Sequence, residues 1–373
     1  MNNFEVRKGE NENEFLIRIG KAKDNGDLDA TWQEITNILN SHFRAGQHCD
    51  SESCWRKKYR RMVNDGDVAS TRKRDENVAK RRYVRNESRF IDFKDKLIEA
   101  VKRADPIDVG ELIITADKDK AIVAMLGDIH YGLCFSNTMG EYSPEIAKQR
   151  VMDYADYVVN LGIKEHATTV YVPLMGDLVS GIIHNTVRIE NRESLVEQII
   201  GVSELITAFI LRLSMCFEHV YVLSVDGNHS RVDMSADAAL RKERLDSLVS
   251  WYCKGRTAKI DKIEYIQTFD PSIGNFDILG KHYVCVHGDY DPNLRTSAQR
   301  LSGMLGCHID YLLAGHTHVP EMTLEYTGYI RNGCVCGTGD DYTAKHRFHG
   351  PAVQVALVCT EDGVESINPY YMQ

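Results

Sequence analysis

The sequence predicts an α/β body of stacked sheets preceded by a small helical region, and three observations carry that expectation. Beyond residue 106, short β-rich runs alternate with helical stretches. From Glu321 to about Tyr370, further strand candidates follow one another with no comparable helix between them. Charge is also divided: residues 1–105 carry a net +4 and residues 106–373 a net −13. The positive excess is concentrated at 55–89, where thirteen basic residues face five acidic ones.

At 373 residues the chain exceeds one typical domain. It divides into a helical region at 1–64, a basic linker at 65–105 and a large body at 106–373. A composition of 43% hydrophobic and 27% charged residues suits a folded protein in water. The opening "MNNFEVRKGENENEF" lacks the apolar block of a signal peptide, and no apolar run approaches the ~18 residues of a membrane span. A cytoplasmic protein with no membrane partner is therefore expected. Ten cysteines are scattered without CxxC pairs and read as reduced, mostly buried thiols.

Residues 12–64 read as three short helices. "TWQEITNILNSHF" opens with a capping box, Thr31 three residues before Glu34, followed by Trp32, Ile35, Ile38 and Leu39 at helical spacing. In "SESCWRKKYRRM", Trp55, Tyr59 and Met62 form one apolar stripe that reads as core. The other face carries Arg56, Lys57, Arg60 and Arg61, which fits the last helix of a helix-turn-helix laid along DNA and equally fits an ordinary solvated face. From Val68 to about Arg103 no Gly or Pro interrupts a run rich in helix formers, so a long basic helix is expected, ending at Asp105-Pro106.

In the body, "AIVAML" (121–126), "TTVYVPLM" (168–175), "HVYVLSV" (219–225), "HYVCV" (282–286) and "YLLAG" (311–315) read as strands. Helices are expected at 144–165, 193–216, 235–253 and 294–305. The strands run into turns rich in metal-binding side chains: "LGDIHYG" offers Asp128 and His130, "MGDLVSG" Asp177, "DGNHS" Asn228 and His229, "VHGD" His287, and "GHTH" His316 and His318. In α/β sheets the carboxyl ends of strands line the ligand crevice, so residues distant in sequence converge there. Each turn also carries a Gly, which lets backbone bend beside a crowded centre. A lone His or Gly-Asp at a strand end is weak evidence of a metal; the ordered set is strong.

That order, D-x-H, G-D, G-N-H, H and G-H-x-H over about residues 121–318, resembles the calcineurin-like metallophosphoesterases. "SGIIHNTVRIENRE", "GNHSR" and the basic N-terminal extension are further similar to phosphoesterases encoded by bacteriophages and prophages, often labelled exonuclease-like. The resemblance implies a four-layer α/β/β/α sandwich with two divalent ions. Asp128, His130, Asp177 and His318 would hold the first, and Asp177, Asn228, His287 and His316 the second, with Asp177 bridging. Mixed oxygen and imidazole donors put Mn²⁺ first, with Fe, Zn, Ni or Co also fitting. Two ions lower the pKa of a shared water, making a nucleophile for in-line attack on phosphorus.

By the same resemblance His229 is not a ligand but the general acid for the leaving alkoxide. A turn-bracing role is the bland alternative. Many relatives follow G-N-H with an acidic residue that orients the imidazole; this chain has Ser230, so another carboxylate or a backbone carbonyl must serve. The double-strand-break repair nucleases of the superfamily carry a His soon after G-D, whereas here Ser180 is nearest and His184 comes later. His184 and Arg188 could meet a phosphate or brace the loop through Glu190. Arg231 could clamp phosphate or pair with Asp226 or Asp233. Asp289 and Asp340 are candidate partners for ligand imidazoles.

The leading expectation is a two-metal phosphodiesterase acting on nucleic acid, a DNA nuclease of exonuclease type. It would be phage- or prophage-encoded in a bacterial cell, with a homodimer or higher homo-oligomer compatible with the long helix. The basic region supports this reading through sequence-independent phosphate binding, while the acidic body opposes it. The alternatives are a phosphatase or phosphodiesterase for small nucleotides, cyclic dinucleotides or phosphoproteins, and a non-catalytic DNA-binding regulator.

Overall fold

In the computed structural model the described residues are 4–45, 50–64, 88, 91–92, 94–99, 101–102, 117–183, 185–233 and 243–373. The chain forms two compact units, Met1–Lys94 and Asp95–Gln373, so the division falls inside the segment read as a linker. Residues 88, 91–92, 94–99 and 101–102 are helical; the rest of the long basic helix expected over 68–103 lies outside the described residues.

The first unit holds helices α1 (Glu12–Asp24), α2 (Trp32–Phe43) and α3 (Glu52–Asn64). Asn11 and Glu14 form a capping box at the start of α1, and Thr31 and Glu34 form the expected one on α2. The three helices bury Phe15, Leu16, Ile19, Ile35, Leu39, Trp55, Tyr59 and Met62 in one cluster. Trp55 Nε1 donates to Asn40 Oδ1 (3.2 Å) and Tyr59 OH to Asp24 Oδ2 (2.6 Å), so the aromatic stripe is core with its polar atoms satisfied internally. Arg56, Lys57, Arg60 and Arg61 are exposed, with Arg56 paired to Glu52 at 3.3 Å.

The second unit is built on two facing sheets. The first runs β13 (Gly363–Tyr371), β12 (Val353–Thr360), β1 (Asp117–Ala124), β4 (Ala167–Leu174), β5 (His219–Ser224) and β6 (Ile263–Tyr265). The second runs β10 (Glu321–Leu324), β11 (Gly328–Arg331), β9 (Tyr311–Ala314), β8 (Lys281–Val286) and β7 (Ile273–Ile278). A small hairpin pairs β2 (Phe135–Asn137) with β3 (Gly140–Tyr142). Strands β1, β4, β5 and β6 are parallel, as are β8, β9 and β11, so their carboxyl ends gather at one edge of each sheet.

Between the sheets Val123, Leu223, Phe276, Tyr283, Cys285, Leu313, Ile330 and Leu357 form the core. Two-residue alternation assigns the faces: Tyr283 and Cys285 point to that core, while Val284 and Val286 pack under α8 (Leu294–Leu305) with Leu294, Ala298 and Leu301. Helices α4 (Pro144–Glu165), α6 (Leu195–Ser214) and α7 (Asp246–Thr257) cover the outer side of the first sheet, which completes the four layers. Short α5 (Asn185–Glu190) and α9 (Asp341–His346) lie in connections.

Helices α4 and α8 have the expected bounds. The one expected at 235–253 begins later, at Asp246, because Arg244 first bridges Arg231 in extended backbone; residues 234–242 lie outside the described residues. The nine cysteines among the described residues are free thiols, and six of them are buried. No helix among the described residues is long and apolar enough to cross a membrane.

Candidate metal centre

The turns that leave β1, β4, β5, β8 and β9 converge on one site. Asp128, His130, Asp177, His316 and His318 all have φ between 48° and 71°, a left-handed conformation that L-residues adopt at a cost. Five candidate ligands in that region mark where the fold spends conformational energy to aim side chains. Glycine makes the crowding possible: a Cβ on Gly227 would lie 2.1 Å from Asp177 Oδ1, and one on Gly315 would lie 2.6 Å from Asp128 Oδ2.

Two sets of donor atoms result. In the first, His130 Nε2 and His318 Nε2 are 3.0 Å apart, and Asp128 Oδ1 is 3.9 Å and 3.4 Å from them. In the second, His287 Nε2 lies 3.2 Å from Asp177 Oδ2, 3.1 Å from Asn228 Oδ1 and 3.2 Å from His316 Nδ1. Asp177 also groups with His130 and His229 within 4.8 Å, so this carboxylate is common to both sets and His229 stands beside them. Ligand atoms each about 2.1 Å from one ion stand roughly 3.0–3.4 Å apart, so these spacings fit bound cations. Asp128 Oδ1 is buried with no hydrogen-bond partner, as a ligand oxygen would be.

Electrostatics agree with a pair of cation sites. Burial would push the Asp177 carboxyl up, but the neighbouring His287, His229 and His130 rings hold it well below the usual carboxylate range. Burial, with His229 and His318 beside it, lowers the pKa of His130, and burial with His287 lowers that of His316, while at His318 burial is outweighed by Cys334 and Asp128, which raise it well above its usual value. Burial also lowers that of His287, but Asp177 outweighs it and raises it to about 10.

Backbone atoms orient the rings. His287 Nδ1 donates to Met175 O (2.8 Å), which leaves Nε2 for a metal. His229 Nδ1 donates to Ser180 O (2.8 Å), and its own N–H donates to Asp177 Oδ1 (2.7 Å). The ring stands edge-on to His130, with centroids 4.6 Å apart. The Ser230 hydroxyl does not orient it; it donates to Gly227 O (2.9 Å) inside the turn. Asp340 likewise holds no imidazole: its carboxylate caps α9 at Thr343.

Three residues without a motif support the centre. Asp246 accepts the backbone N–H groups of Asp177 (3.1 Å), Leu178 (3.2 Å) and Gly227 (2.8 Å), tying the β4 and β5 turns together. Burial and the nearby Asp177 push its carboxyl up to about 6. Gln354 accepts from Gly127 N–H (3.0 Å) and Asn332 Nδ2 (2.7 Å). A glutamine inside the apolar run "VQVALV" was a visible signal; Asp246 had none. Cys336 is the third, its sulfur grouped with His130 and His318.

The donors open into a cleft of about 840 Å³ lined by His130, Asp177, Asn228, His229, His316 and His318 on its floor, and by Arg331, Tyr342, Arg347 and Phe348 among its walls. Arg188 is exposed and Arg231 half-buried, and neither lines the cleft. His184 lies outside the described residues.

The two facing sheets and the order of the donor residues along the chain resemble those of the calcineurin-like, metal-dependent phosphoesterases. Residues 1–75 match the family described as the YonJ N-terminal domain. The chain is 23% identical over 346 residues to the SPbeta prophage-derived protein YonJ of Bacillus subtilis (strain 168), covering 84% of this chain and 83% of that one. Similar solved structures include a predicted phosphoesterase from Streptococcus pneumoniae TIGR4 (12% identity, 68% of this chain and 99% of that one, TM-score 0.29). Vps29 from Entamoeba histolytica complexed with zinc is another (12% identity, 67% and 97%, TM-score 0.32).

Proposed function

We propose that the protein is a two-metal phosphodiesterase that cleaves nucleic-acid phosphodiester bonds, DNA first among them, inside a phage- or prophage-carrying bacterial cell. The observation that supports the chemistry is Asp177, whose carboxylate belongs to two clusters of imidazoles at the cleft. Bound there, two divalent ions, Mn²⁺ or another borderline metal, would neutralise phosphate charge and supply an activated water.

The chain's own residues do the rest. Asp128, His130 and His318 would hold one ion and Asn228, His287 and His316 the other, with Asp177 common to both. His229, its Nδ1–H held by Ser180 O, would act as general acid in its imidazolium form, giving the Nε2 proton to the departing alkoxide and keeping the one on Nδ1. Arg331 and Arg347 in the cleft wall suit phosphate oxygens, and Tyr342 and Phe348 give a base a face to stack on.

The exposed Arg56, Lys57, Arg60 and Arg61 on α3 support a polyanionic partner. A phosphodiesterase for nucleotides or cyclic dinucleotides is the second reading, favoured by a cleft volume that suits a small ligand.

The test is a panel of linear and circular single- and double-stranded DNA, RNA, cyclic dinucleotides, a bis-aryl phosphodiester and a phosphomonoester, each with added divalent metal. Metal-dependent cleavage of a DNA, lost in Asp177→Asn, is expected. Cleavage of small esters alone, unchanged by removing residues 1–94, overturns the nucleic-acid reading.

A further inference from the structure

The loop between β11 and α9 brings a sulfur atom to the centre. Cys336 is 5% exposed, and its Sγ lies within 4.8 Å of ligand nitrogens of His130 and His318. The Nε2 atoms of the two rings are 3.0 Å apart, and Asp128 Oδ1, which accepts no hydrogen bond, lies 3.9 Å from that of His130 and 3.4 Å from that of His318. Three donors therefore surround one point, and the thiol of Cys336 is the fourth group beside it.

The loop is fixed there. Val335 N–H donates to Asp128 O (3.0 Å), which pins the loop directly to the turn that carries the first ligand. Arg150 Nη1 donates to Val335 O (2.9 Å) and Cys336 O (3.3 Å) from the other side. The Cys336 thiol donates to Gly337 O at 3.3 Å, and Cys334 Sγ reaches the same carbonyl at 3.6 Å. If Cys336 gives up its proton, that carbonyl keeps a donor.

We propose that Cys336 is a thiolate ligand of the ion held by Asp128, His130 and His318. Binding exchanges the S–H bond for a metal–sulfur bond, with the proton released to solvent. This rests on the two-metal reading and adds to it a sulfur donor at one position only. A thiolate beside two imidazoles and a carboxylate favours zinc, iron(II) or cobalt over manganese or magnesium there, while the Asn228, His287 and His316 position keeps only nitrogen and oxygen donors. The two positions would then prefer different metals.

Cobalt(II) substitution of the full chain tests this by absorption spectroscopy alongside metal analysis, with no substrate. The wild type is expected to bind cobalt and show an intense near-ultraviolet sulfur-to-cobalt charge-transfer band. That band is lost in Cys336→Ser and Cys336→Ala and kept in Cys334→Ser. Bound cobalt with only weak visible bands in the wild type overturns the thiolate and leaves the two-metal reading standing; so does a band that survives in either Cys336 variant. No bound cobalt at all overturns both. The wild-type spectrum decides on its own if the Cys336 variants do not fold.

Discussion

His229 Nδ1 and the carbonyl oxygen of Ser180 are 2.8 Å apart, and a carbonyl can only accept, so Nδ1 carries a proton whether the ring is neutral or charged, and the ring lines the cleft. The backbone thus orients the His229 ring without help from Ser230, whose hydroxyl donates to Gly227 O.

His229→Ala is expected to lower kcat by roughly 10²- to 10⁴-fold on substrates with an alkoxide leaving group, at unchanged metal content. An aryl ester, whose phenolate leaves without help, should lose far less. Steady-state kinetics on both substrates check this; equal losses contradict an acid role.

Asp246 gathers three N–H groups from the two turns that present Asp177 and Asn228. Asp246→Asn replaces one acceptor oxygen by an N–H donor, leaving at least one of those amides opposed. Metal affinity is expected to fall about 10- to 100-fold, as for other residues that orient ligands from behind. Isothermal titration with zinc reads the change, and an unchanged affinity contradicts the bracing role.

Metal binding should release protons. His287 donates from Nδ1 to Met175 O and from Nε2 to Asp177 Oδ2, and Asp177 raises its pKa to about 10 despite burial. The ring is therefore charged at neutral pH, and the Nε2 proton must leave before a metal can take its place. Below that pKa affinity should rise with pH, by about tenfold per unit for this one proton. Competition titrations across neutral pH give the slope; a flat profile contradicts the assignment.

Gly227→Ala would place a methyl group 2.1 Å from Asp177 Oδ1 and 2.2 Å from its backbone nitrogen. Neither backbone nor ligand can yield without opening the centre. Loss of metal content is expected, together with a lower melting temperature; retained metal at wild-type level would show that the turns are looser than their contacts imply.

Replacing Arg56, Lys57, Arg60 and Arg61 by Ala tests the nucleic-acid partner. If all four meet phosphates, the slope of log K against log salt for single-stranded DNA should shrink by about 3, since each contact contributes roughly 0.7. Hydrolysis of a bis-aryl phosphodiester should not change. An unaltered salt slope removes these residues from the interface.

The convergence of the candidate ligands was legible because they sit where sequence is most informative, in Gly-containing turns directly after strands. Asp128, His130, Asp177, Asn228, His287, His316 and His318 all meet there. The α3 stripe of Trp55, Tyr59 and Met62 was legible from helical period alone. What sequence could not show falls into two kinds. The orienting groups of His229 and His287 are backbone carbonyls of Ser180 and Met175, and backbone oxygens carry no residue identity. Asp246 and Cys336 reach the centre only through tertiary approach from a helix start and a distant loop. Asp340, an attractive outer partner on paper, is spent on capping α9.

The central claim is that Asp177 joins two metal positions. Metal content per chain by mass spectrometry, after loading and removal of excess metal, tests it most directly. Two ions are expected in the wild type and at most one in Asp177→Asn; a single ion in a fully active wild type, or two retained in the variant, would show that Asp177 does not join two positions.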